Sequence, residues 1–363
     1  MYNFMDEFRN SDLARQAAEV LASYKGRPVK IMEVCGTHTM AIFKYGIRSL
    51  LPQNISLISG PGCPVCVTPV SYIDSAIELS RLEGMIITTF GDLMKVPGTE
   101  SSLLKEKAAG RDIRIIYSPL DAVRIAAENP VRKVVFLSVG FETTTPVTAL
   151  TVLKAYENQI GNFSILTANK TMPEALKILA VSGEVKIDGY LYPGHVSTIT
   201  GTELYWRLAE EYGISGIVTG FEPLDMLNGI IMLIDSLNKG KATVINEYSR
   251  AVTKEGNPIA LGKMYEVFEP CDAIWRGIGN IPASGLGLKE KYKKYDARVV
   301  YEIKEKDSSE PKGCLCGEIL KGNRIPRECG FFGKQCTPEN PVGACMVSSE
   351  GTCAAYYKFG GIE

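Results

Sequence analysis

Ten cysteines and two histidines carry most of the distinctive chemistry this chain offers, and the cysteines are grouped. Cys35 stands three residues before His38 in EVCGTHTM, and Cys63 and Cys66 form a C-x-x-C inside GPGCPVCVTP. Cys271 is isolated. Cys314, Cys316, Cys329, Cys336, Cys345 and Cys353 crowd the last 50 residues. Thiolates are soft metal ligands and two-electron redox groups. In a reducing compartment such an inventory points to metal or thiol–disulfide chemistry rather than to structural bridges.

The tail gives the strongest signal. Cys314, Cys329, Cys336 and Cys353 read C-x14-C-x6-C-x16-C. Structural zinc sites usually pair their ligands as C-x2–4-C. Here the only close pair is C-x-C and the other gaps are irregular, which favours a [4Fe–4S] cluster over zinc. Inert buried thiols are the plain alternative. Cys316 and Cys345 are left over. Flanking a cluster, they would form a disulfide that the cluster reduces, unless one of them is itself a ligand.

The C-x-x-C at 63–66 follows an apolar run and fits a redox dithiol or half of a metal site equally well. Cys35 and His38 fit a ligand pair, a nucleophilic thiol activated by an imidazole, or a buried cysteine beside a turn histidine. Glu142 in GFETTTP is an acid–base or hydrogen-bonding candidate, set against a helix first-turn role. Asp225 in GFEPLD reads as a helix cap. His195 in PGHVSTITG sits in a Gly-flanked loop. GNIPASGLGL matches neither a P-loop nor a dinucleotide fingerprint, so no nucleotide is expected.

Positioning these groups falls to an alternation of strands and helices. PVKIMEV, ISLISG, GMIITTF, DIRIIYSP, KVVFLSVG, FSILTANK, IDGYLYP and ISGIVTG read as strands. Amphipathic stretches such as SDLARQAAEVLASY and TELYWRLAEEYG lie between them. The pattern predicts an α/β fold with parallel sheets covered by helices on both faces. Two α/β domains, 1–122 and 123–245, and a Cys-rich iron–sulfur domain over 246–363 are expected. The candidate motifs fall in loops that follow strands, where α/β proteins place their sites. The tail is rich in Gly, Pro and Cys and needs a staple such as a cluster.

The composition, 45% hydrophobic and 22% charged with Lys and Arg (40) balancing Asp and Glu (41), is globular. Nothing recommends a nucleic-acid surface. No apolar run reaches the roughly 18 residues a membrane span needs, and no signal peptide is visible. The expected compartment is the cytoplasm.

Together, CGTHTM, GPGCPVCVTP, FGDLMKVPG, GFETTTP, PGHVSTI and the tail CLCGEIL…PRECGFFGKQCTP…CMVSSEGTCAAYYKF resemble the HypD family of [NiFe]-hydrogenase maturation factors over nearly the whole chain. The resemblance implies a redox-active scaffold rather than a conventional enzyme. Such a scaffold works with HypC and HypE to assemble an Fe(CN)2CO unit. It implies that Cys35 binds that iron, with HypC supplying a second thiolate and His38 nearby. It also implies a redox dithiol at Cys63 and Cys66, and [4Fe–4S] ligands at Cys314, Cys329, Cys336 and Cys353. Cys316 and Cys345 then form a cluster-proximal disulfide resembling that of ferredoxin:thioredoxin reductase. A cluster-dependent protein disulfide reductase is the competing expectation, and a zinc-stabilised structural protein a third.

Overall fold

Each of the eight apolar runs read as strands becomes one, and a ninth strand, Val244–Asn246, follows them. The computed structural model describes residues 7–304, 308 and 310–360. The strands are β1 (Val29–Glu33), β2 (Ile55–Ser59), β3 (Met85–Thr89), β4 (Ile113–Ile115), β5 (Lys133–Gly140), β6 (Phe163–Asn169), β7 (Gly189–Pro193), β8 (Ser215–Thr219) and β9 (Val244–Asn246). They form two wholly parallel sheets, ordered β2-β1-β7-β8-β9 and β4-β3-β5-β6. The α/β class expected from the alternation is present.

Sheet membership does not follow chain order. The four-stranded sheet is built from one stretch, 85–169, that interrupts the five-stranded sheet between β2 and β7. The expected division at 122/123 falls inside the four-stranded sheet, between β4 and β5, and that at 245/246 falls inside β9.

Alternation along each strand splits the side chains between two faces. Ile31 of β1 joins helices Ser11–Ala22, Gly36–Lys44 and Pro223–Asn238 in an outer core. Val134 and Phe136 of β5 join helices Pro119–Glu128, Thr145–Glu157 and Pro258–Val267 in a second. Met32, Val135 and Leu137 point the other way, into a central core shared by both sheets and the tail cysteines. Helices therefore cover the outer faces, and helices Val70–Ser80, Met172–Val181 and Glu203–Tyr212 share the middle with the tail.

After β9, helix Pro258–Val267 leads into an antiparallel hairpin, β10 (Phe268–Trp275) and β11 (Gly279–Leu288). The Gly-rich segment read for a nucleotide fingerprint is thus a strand. Cys271 lies exposed on β10. Among the described residues no helix is long and apolar enough to cross a membrane.

Candidate metal and thiol site

The carboxyl ends of β1, β2, β3, β5 and β7 open onto one cleft of about 330 Å³, where both sheets contribute walls. Val34 and Cys35 follow β1, Gly62, Pro64 and Val65 follow β2, and Phe90 and Asp92 follow β3. Phe141, Thr143 and Thr144 follow β5, and His195 follows β7. The tail closes the cleft with Glu350.

Cys35 is the N-cap residue of helix Gly36–Lys44, so that helix begins at the motif rather than after it. Burial pushes its thiol up to about 11, and the Glu350 carboxylate adds to this. The N–H groups of His38 and Thr37 at the start of the helix pull the other way, as a helix N-terminus does for a thiolate, but burial wins. Glu350 is tied in by the Thr37 hydroxyl, which donates to its Oε1 at 2.8 Å. Burial raises the Glu350 carboxyl as well, and nearby Asp92 adds to the rise.

The CPVC segment forms a single helical turn, Pro64–Val67, with Pro64 at its first position. Cys63 and Cys66 are closed as a disulfide, and Cys63 Sγ also accepts the Cys66 N–H at 3.2 Å. Pro64 and Val65 face the cleft, while both sulfurs are buried behind them. The loop before the turn rests on Cys35. Gly36 N–H donates to Gly62 O at 3.2 Å, and a Cβ on Gly62 would lie 2.4 Å from the Cys35 nitrogen.

The two histidines, read as loop residues, occupy helix starts and share one aromatic ring. Phe221 lies 4.0 Å from His195 and 4.9 Å from His38, centroid to centroid. His195 lines the cleft. His38 is turned to the end of β8, with Nε2 3.2 Å from Thr219 O and 3.1 Å from Gly220 O. Burial holds it down at about 4, so the neutral ring donates Nε2–H to these carbonyls. Its imidazole therefore braces the loop after β8 and is not among the residues lining the cleft.

Glu142 is buried behind the cleft wall and accepts the Met172 N–H at 2.9 Å. Burial lifts its carboxyl to about 7. Asp225 takes the capping role expected of it, with Oδ2 accepting the Glu222 N–H at 3.1 Å.

All six tail cysteines line a second, apolar cavity walled by Ile319, Phe331, Phe332 and Met346. The sulfurs of Cys316 and Cys345 lie 2.8 Å apart. That contact and burial push Cys316 well above the ordinary thiol value, against the pull of the Arg276 guanidinium. Burial pushes Cys314 up to about 12, and the crowding of sulfurs around it adds to the rise. The void measures about 10 Å³, room for one water. Among the described residues no group of three or more His, Cys, Asp or Glu is arranged around a single ion. In kind, the lining fits a thiolate-ligated cluster, because it offers sulfur donors and no competing carboxylate or imidazole.

The two thiol centres are neighbours. The CPVC turn packs against the Ala344–Met346 turn that carries Cys345, and helix Thr352–Phe359 packs on helix Gly36–Lys44. Sequence reasoning missed Thr37, Asp92, Glu350 and Arg276. Asp92 is visible as an acid in a strand-end loop, whereas nothing in the local sequence of the Cys-rich tail marks Glu350.

Residues 11–360 match the family model of HypD, described as the hydrogenase formation hypA family. The chain is 46% identical to hydrogenase maturation factor HypD2 of Bradyrhizobium diazoefficiens, covering 98% of this chain and 97% of that protein. It is 44% identical to HypD of Azotobacter vinelandii over the same shares. It is 47% identical to a putative hydrogenase expression/formation protein of Methanocaldococcus jannaschii, covering 91% of this chain and 92% of that one.

Proposed function

Because the chain belongs to the HypD family of hydrogenase maturation factors, we propose that its two thiol centres serve assembly of the Fe(CN)2CO unit of [NiFe]-hydrogenase in the cytoplasm. The protein acts as a redox-active scaffold. The iron fragment is its cargo, and Cys35 is the thiolate that holds it. HypC brings a second thiolate to the mouth of the cleft, and HypE meets the same face. One observation carries this reading: the Cys35 thiol lines a cleft built from the strand ends of both sheets, with the CPVC turn as its neighbouring wall.

Each side chain then has a task. Cys35 must give up its proton to bind iron, since burial keeps the thiol protonated at neutral pH. Neutral His38 fixes the loop behind the cleft. Cys314, Cys329, Cys336 and Cys353 hold a [4Fe–4S] cluster, a reading supported by an all-thiol donor set in one apolar cavity. When bound, such a cluster supplies single electrons. Cys316 and Cys345, in sulfur-to-sulfur contact, form the dithiol that exchanges with the Cys63–Cys66 disulfide.

Anaerobic infrared spectroscopy of the protein co-purified with HypC tests the iron site. Wild type should show cyanide and CO stretching bands that Cys35→Ala lacks, with the visible cluster absorption unchanged. Bands surviving in C35A would move the iron to other ligands. Cluster absorption without bands in either protein would favour a disulfide reductase, a second reading that the adjoining thiol centres support. Cys63→Ser with Cys66→Ser should halt maturation while leaving the cluster spectrum intact.

A further inference from the structure

The two dithiols sit on different segments, the CPVC turn after β2 and the Cys316–Cys345 pair in the tail. The tip of the β10–β11 hairpin touches both segments. At this tip Arg276 is 1% exposed. Its backbone N–H donates to Val67 O at 2.8 Å, and its Nε donates to Thr68 O at 2.9 Å. One residue thus holds the two carbonyls at the C-terminal end of the CPVC turn. Its Nη1 pairs with Glu310 at 2.6 Å, on the segment that leads into Cys314. Its Nη2 is buried and has no hydrogen-bond partner among the described residues.

The next residue reaches the other centre. Gly277 has φ +76°, and a Cβ there would lie 2.2 Å from the Cα of Gly317, which adjoins Cys316. Only glycine meets both demands, the left-handed backbone and the contact of one backbone with the other. On the other side, Trp275 stacks on Phe141 of the cleft wall at 5.8 Å. Burying a guanidinium is costly unless its contacts are used. Here they join the end of the CPVC turn, the hairpin tip and the segment that leads into Cys314.

We infer that Arg276 is a positioning residue that holds the CPVC dithiol in register with the Cys316–Cys345 pair. This rests on the relay proposed above. In that exchange the Cys316 and Cys345 thiols form an S–S bond and release two electrons and two protons. The Cys63–Cys66 bond opens and takes them up, so no outside oxidant is needed.

The test uses the full chain with its cluster, anaerobically, starting from oxidised Cys63–Cys66. Reduced methyl viologen donates electrons, and alkylation with peptide mass spectrometry follows the appearance of the Cys63 and Cys66 thiols. Arg276→Met should slow that appearance by about a hundredfold, the scale of an ångström-level misplacement. Direct reduction of the same disulfide by a soluble phosphine should keep its wild-type rate. If R276M does not fold, Arg276→Lys carries the test, because it keeps the charge and loses the fork. Wild-type transfer in the variant overturns the inference and leaves the relay standing. Phosphine reduction slowed to the same extent also overturns it, as a merely structural effect. Absence of transfer in wild type overturns the relay, and this inference with it.

Discussion

At the scale of single residues, the buried carboxyl of Glu142 sets a pH dependence. Burial raises it to about 7, above its ordinary 4.5. Between these values the folded state keeps a proton that the unfolded state has lost. The stability it contributes is fully present below about pH 4.5 and is lost as pH rises through about 7. Glu142→Gln keeps the acceptor for the Met172 N–H and removes the titration. Denaturation from pH 4.5 to 8 should show the variant gaining on wild type by about 3 kcal/mol across that window. A pH-independent difference would mean that Glu142 is ionised in the fold. The cysteines were legible because few other residues do their chemistry. Glu350 and Arg276 were not, because what marks them is burial beside a thiol from a distant segment, which no local pattern records.

At the scale of elements, the strand-end loops were readable and their conformations were not. CGTHTM reads as a loop, yet the helix starts at Gly36 and leaves Cys35 as its cap residue. Two β-branched threonines and a glycine disguise a first turn that tertiary contacts stabilise. The close approach of GPGC to Cys35 was equally invisible. It makes a prediction. Gly62→Ala would place a Cβ 2.4 Å from the Cys35 nitrogen and 2.5 Å from its Cα, against backbone rather than a side chain that could move aside. Overpacking of this kind costs about 1–3 kcal/mol, and urea denaturation should register it together with faster alkylation of Cys35. Gly161→Ala, which meets nothing within 4 Å, is the control and should be near neutral. Equal stability of the two variants would show that the loop yields freely.

At the scale of the whole molecule, the alternation of strands and helices gave away the class but not the pairing of β1 with β7. A parallel pair joined across so long a stretch leaves no local trace. The same long reach appears in an ionic link. Arg48 donates to Glu33 Oε1 at 3.1 Å and to the Tyr356 hydroxyl at 3.0 Å, tying the first strand to the last helix. Glu33 is completely buried, and burial raises its carboxyl despite Arg48. Arg48→Met removes the charge that pairs with that carboxyl, leaving it the Ser59 hydroxyl at 2.7 Å, and should cost up to about 3–5 kcal/mol. The double variant with Glu33→Gln should recover most of the loss in the same denaturation series. Failure of the second change to rescue would place the effect in the Phe43 and Tyr356 rings that Arg48 overlies.

The wall that Glu350 adds to the Cys35 cleft has a consequence for timing. Thr37 and Glu350, which bond beside Cys35, are 313 residues apart in the chain. At about 5–20 residues per second of synthesis, the thiol leaves the ribosome roughly 15–60 s before its pocket can close. Until then Cys35 has neither the burial that keeps it protonated nor the acid beside it. The finished cleft is therefore a property of the completed chain, and a nascent one presents only an ordinary thiol.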